Sequence, residues 1–209
     1  MSSDKKLHPG INIQHTDPEA HLEAEPVMFG FWIFLMSDLV LFALLLATYG
    51  AMSVHGIAGG PTPKQVTDLT SAGIETALLL ASSFTFALAS IALKYDDDQR
   101  ALKRWLIVTA LLGAAFIAME IKDFITLAGK GQVPQVSGFL SAHYALLGTH
   151  MLHVASAILW MAMIWPQMKV PRLKDLVRLR VMRLALFWHM LDVVWVAIVT
   201  FVFLFGAST

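Results

Sequence analysis

Of 209 residues, 57% are hydrophobic and only 14% charged, with a strongly positive mean hydropathy, which lies outside the composition of soluble domains. Fifteen basic residues balance 15 acidic ones, so there is no electrostatic case for nucleic-acid binding. Zero cysteines exclude disulfides, Cys-ligated zinc, iron–sulfur clusters and a thiolate-bridged copper centre.

Residues 1–25 read as a polar tail with Lys5 and Lys6. They lack the apolar run of a secretory signal peptide, so no cleavage is expected. The tail histidines His8, His15 and His21 are too dispersed for a metal site. Residues 26–209 read as an all-α, polytopic membrane domain. Its five apolar stretches, about 27–52, 72–93, 105–127, 140–168 and 184–206, are each long enough to cross a ~30 Å hydrocarbon core at about 1.5 Å per residue.

The first span carries Asp38, which helical rise places about 16 Å in, close to the bilayer centre. Trp32 and Tyr49 in this span, and Trp105 and Trp165 further on, lie near span ends, where aromatic belts are expected. The second span supplies Ser83, Ala87 and Ser90 as a small-residue packing face, with Glu75 near its non-cytoplasmic end. A solvated loop follows at Asp96, Asp97 and Asp98. The third span repeats alanine at Ala110, Ala114 and Ala118, a second packing face, and carries Glu120 near its non-cytoplasmic end. At the start of the fourth, His143 and Tyr144 read as interfacial; deeper, His150 and His153 share a face within GTHMLHV. Pro166 and Pro171 mark this helix as ending near residue 168. In the fifth, LFWHMLDVVW sets His189 and Asp192 three residues apart, again on one face.

Orientation follows from the cations. The tail, the second loop (Lys94, Arg100, Lys103, Arg104) and the fourth loop (Lys169, Arg172, Lys174, Arg178, Arg180, Arg183) hold all but Lys64, Lys122 and Lys130. The positive-inside rule then predicts a cytoplasmic amino terminus and a carboxyl terminus on the opposite side.

Ionisable groups at membrane depth are expensive and mark either a structural clasp or a functional site. The histidines admit two readings. As haem ligands, His150 or His153 with His189 would make a small b-type membrane cytochrome, and depth permits the pairing. As framework, each imidazole is held by a buried carboxylate or carbonyl. A copper site would need a third close ligand, and two haems would need four matched histidines. Asp38 is open in the same way, as an ion or proton site or as a protonated or hydrogen-bonded strut. A carrier would use Asp38 with Asp192, the two carboxyls near the centre. No nucleophile elbow, phosphate loop or HExxH helix is present.

In order along the chain, GFWIFLMSDLVLF, ALLLASS, MEIKDF, SGFLSAHYALLGTHMLHV and FWHMLDVVW resemble subunit III of the haem–copper terminal oxidases, from about Phe29 to Gly206. The connector HGIAGGPTP and the third-span MEI are most similar to the five-helix form found in bacterial cytochrome o-type ubiquinol oxidases. Where the family typically has a glutamate in a SEVLF context, this chain has Asp38. The resemblance implies a non-catalytic accessory subunit of a proton-pumping ubiquinol oxidase in the bacterial inner membrane, supporting assembly, stability and lipid binding. It further implies that haem and copper belong to the partner subunit I, with no cofactor or metal held here. The implied partners are subunit I, other oxidase subunits and phospholipid. Asp38, His150, His153, His189 and Asp192 become buried framework or lipid-cleft residues.

Overall fold

The computed structural model describes residues 18–57, 59–93, 99–168, 174–204 and 206, and every described element is helical. The tail up to residue 17, the Asp96–Asp98 cluster and Pro171 lie outside the described residues.

Helix α1 runs over Pro18–His55, so helix already begins within the stretch expected as tail. A single turn α2 (Pro63–Val66) leads to α3 (Leu69–Ile91), then α4 (Gln99–Gly129), a 3₁₀ turn at Pro134–Val136, α5 (Gly138–Gln167) and α6 (Lys174–Ile198). The chain continues from α6 as a π-helical stretch, Val199–Leu204. Among the described residues five helices are long and apolar enough to cross a membrane: Pro26–His55, Leu69–Ile91, Arg100–Gly129, Gly138–Gln167 and Val177–Leu204. Only helices and closed barrels satisfy every backbone group in lipid, and this chain uses the first solution.

Local chemistry sets the helix ends. Asp68 caps α3 by accepting from the Thr70 and Ser71 amides, and Ser137 caps α5 by accepting from the Leu140 amide. Helix α4 closes with Gly131 at φ +73°, the Gln132 amide donating to Leu127 O and the Gly131 amide to Ala128 O. That pair of bonds is a Schellman motif, which needs a left-handed residue and so selects glycine.

Helices α3 and α4 form an antiparallel hairpin. Thr85 Oγ1 lies 2.8 Å from Thr109 Oγ1, and Ser71 Oγ–H donates to Asp123 at 2.5 Å, two pairs equidistant from residue 97. Helix α5 packs on α1, α4 and α6, while α6 also packs on α3 and α1. The span of α6 is 56% buried against 11% for that of α1, so α6 is the central strut and α1 an outer helix resting on α5 and α6.

Three expectations change on packing. Tyr49 is 3% exposed, beside the Phe139 and His143 rings, and is a core residue; the polar tip that suggested a membrane interface faces inward. His143 is likewise buried. The alanine repeat of the third span is not the tight face: Ala114 and Ala118 are exposed. Close approach instead occurs at Gly113, where an added Cβ would stand 2.7 Å from Trp188 Cη2.

Candidate functional site

The polar side chains inside the bundle fall into three groups, each placed by a pair of helices. The first joins α6 to α3. Trp195 Nε1–H donates to Thr76 Oγ1 at 3.1 Å, Trp188 Nε1–H donates to Ser82 Oγ at 3.1 Å, and His189 Nδ1 lies 2.9 Å from Ser83 Oγ. The antiparallel crossing of the two helices makes this a ladder. His189 Nδ1 is also 3.5 Å from Asp192 Oδ2, so the sequence-predicted pair does come together, with a hydroxyl from α3 added. Neither Asp192 carboxylate oxygen completes a hydrogen bond among the described residues, and the His189 side chain is 42% exposed.

The second group joins α5 to α1 and α6. His153 Nδ1–H donates to Thr149 O at 2.8 Å, one turn back on its own helix. A neutral His153 therefore presents Nε2 as an acceptor, and this atom stands 3.7 Å from Asp38 Oδ2. His150 is fully buried, its Nε2–H donating to Leu191 O at 3.3 Å, with the rings of Phe42, Phe116 and Trp195 around it. The three span histidines singled out as candidate ligands thus turn to three different helices: His150 to α6, His153 to α1 and His189 to α3. That divergence does not fit a bis-histidine haem across the fourth and fifth spans. Among the described residues no group of three His, Cys, Asp or Glu side chains is placed to hold a metal ion.

The third group lies at the far end of the α3–α4 hairpin. Glu75 and Glu120 face a cavity with Asp68, Asp123, Lys130 and His143. Sequence reading noted the two glutamates but not that they share a cavity. The hairpin register carries the signal: residues equidistant from 97 pair, and 75 and 120 nearly satisfy that rule.

What this arrangement can do is hold helices together by matched polar contacts, with unspent acceptors on α6. Residues 14–207 match the cytochrome c oxidase subunit III family. The chain is 43% identical, over 98% of its length and 97% of the relative's, to the cytochrome bo(3) ubiquinol oxidase subunit 3 of Pseudomonas aeruginosa. It is 38% identical to the quinol oxidase subunit 3 of Bacillus subtilis, covering 85% of this chain and 86% of that one. To the cytochrome c oxidase subunit 3 of Bacillus sp. strain PS3 it is 35% identical over 99% of both.

Proposed function

We propose a role that proceeds from one premise: this chain belongs to the cytochrome c oxidase subunit III family. It is an accessory subunit of a haem–copper oxidase, part of a multi-subunit complex, and a multi-pass protein of the inner membrane. Within that frame the complex is a ubiquinol oxidase that reduces oxygen to water and exports protons. The 43% identity to the ubiquinol oxidase subunit of Pseudomonas aeruginosa, against 35% to the cytochrome c oxidase subunit, supports this choice of electron donor.

In this reading haem and copper reside in subunit I, and this chain packs directly against it. The supporting observation is the α6 face at Asp192 and His189. An imidazole whose side chain is 42% exposed, at membrane depth beside the Asp192 carboxylate, is costly in contact with lipid tails, which offer it no hydrogen-bond partner. A partner helix bearing a hydroxyl, amide or cation relieves that cost. Phospholipid fills the sides left apolar and open, above all along α1, where Phe34, Val40 and Leu44 are exposed. The amino terminus is cytoplasmic, as the distribution of Lys and Arg argues.

The role is tested by Asp192→Ala and His189→Ala. His189→Ala removes the contact to Ser83 and Asp192→Ala the carboxylate beside His189, each altering this α6 face at a cost of about 1 kcal/mol, and each should lower the amount of this subunit co-purifying with the oxidase in detergent. Retention equal to wild type in both variants sinks the direct-packing reading. The b-type cytochrome reading is not favoured, since its histidines diverge; a stoichiometric haem band staying with this chain after its separation from the complex would restore it.

A further inference from the structure

The α2–α3 connector, the α3–α4 hairpin and α5 surround a cavity of about 80 Å³, room for several waters. Its floor and its rim differ in kind. Glu75 (1% exposed), Glu120 (3%) and His143 (2%) form the floor, whereas Asp68 and Lys130 at the mouth are exposed. Glu75 Oε1 and His143 Nδ1 are buried and meet no hydrogen-bond partner among the described residues, although both residues line the space. Asp123 also lines it, with one oxygen taken by the Ser71 hydroxyl.

The charges decide what such a floor can hold. Two glutamates and Asp123 on α3 and α4, with Asp68 at the rim, face one ammonium, Lys130, and one imidazole from α5. Carboxylates withdrawn from water and set near one another do not all stay ionised; the inexpensive solution is for a pair to keep a proton. A metal ion is the other way to neutralise acids, but among the described residues no three such groups are placed to hold one. A cavity with room for water, reaching from an exposed rim to two buried acids, supplies the route by which that proton could come and go.

We propose that Glu75 and Glu120 hold one proton between them and exchange it with water on the non-cytoplasmic face through this cavity. The face rests on the orientation given under Proposed function, on which side the oxidase would also release its exported protons. The pair is then a proton reservoir beside the exit surface. The exchange is a simple transfer: a water or hydronium at the rim gives up a proton, and one carboxylate oxygen takes it.

Infrared difference spectra of the intact complex in oriented proteoliposomes, recorded between two external pH values, read the carbonyl stretch of protonated carboxylic acids directly. Wild type should show such a band, moving on transfer to D₂O. Glu75→Gln and Glu120→Gln should each remove or displace it, and Glu75→Asp and Glu120→Asp, which keep the acid and the fold, should keep it at a shifted position. A spectrum unchanged in all four variants overturns the proposal. A band that follows only the pH of the cytoplasmic compartment overturns the exchange route. Failure of the accessory-subunit reading shows up differently, as absence of this chain from the purified oxidase.

Discussion

At the scale of single residues, the bundle is decided by size and by hydrogen bonds sent to particular partners. Gly113 is the clearest case of size. The indole of Trp188 occupies the space a Cβ would need, and Ile158 closes the other side at 3.3 Å. Gly113→Ala should therefore cost about 1 to 3 kcal/mol through overpacking, seen as a lower denaturation midpoint in detergent; an unchanged midpoint would mean that α4 and α6 part more easily than their packing indicates. The histidines show the role of partners. His153 is tautomerically committed by Thr149 O and stands 3.7 Å from Asp38 Oδ2 without a hydrogen bond to it, whereas His150 spends its donor on a backbone carbonyl of α6. Spacing within GTHMLHV put both imidazoles on one face; which atom each meets, Leu191 O on α6 for His150 and Asp38 on α1 for His153, depended on neighbours that spacing does not encode.

At the scale of elements, each helix is held at its ends by local chemistry and along its length by one or two others. The α4 terminus is the most exacting. The left-handed Gly131 lets Gln132 and Gly131 satisfy the Leu127 and Ala128 carbonyls, and it carries Lys130 to the cavity rim. Gly131→Ala should destabilise the subunit by about 1 kcal/mol, measured by thermal unfolding, with little change in total helicity. A larger loss with fraying of α4 would show that the turn nucleates the hairpin. The apolar stretches located all five membrane-length helices. Their packing faces were less legible: small residues mark where helices can approach, and here Gly113 was used while Ala114 and Ala118 were left outside. Likewise Tyr49 and His143 look interfacial by residue type, yet they stack beside each other in the core, because helices α1 and α5 meet there.

At the scale of the whole molecule, α6 is the central strut and α1 the outer one, and the polar ladder to α3 fixes the strut. Asp38 lies where α1 meets α5, away from the ladder. If its part is to anchor α1 beside His153, Asp38→Asn should leave the initial oxidase turnover of the complex close to wild type, since asparagine keeps the size and polarity of the side chain. Immediate loss of proton export, with electron transfer intact, would instead make Asp38 a relay. The Asp192 and His189 variants act at the same scale but on α6 rather than where α1 meets α5, so combining them with Asp38→Asn should leave the retention loss they cause unchanged.

The residues by themselves determined the medium, the number of helices, the side-by-side occurrence of the polar groups along each helix and the resemblance to the family, because hydropathy, helical period and motif order are properties of local sequence. Partner choice was decided only in three dimensions. His189 meets Ser83 as well as Asp192, Asp38 meets His153, and Glu75 meets the cavity it shares with Glu120, across separations of tens to more than a hundred residues. In lipid, the hydrophobic effect does not order helices relative to one another, so their arrangement follows from close packing and from matching of scarce polar groups, terms that exist only between elements. LFWHMLDVVW announced that something polar had to be satisfied; the fold determined what satisfies it, bringing Ser83 of α3 to His189 and enclosing Asp192 beside that pair.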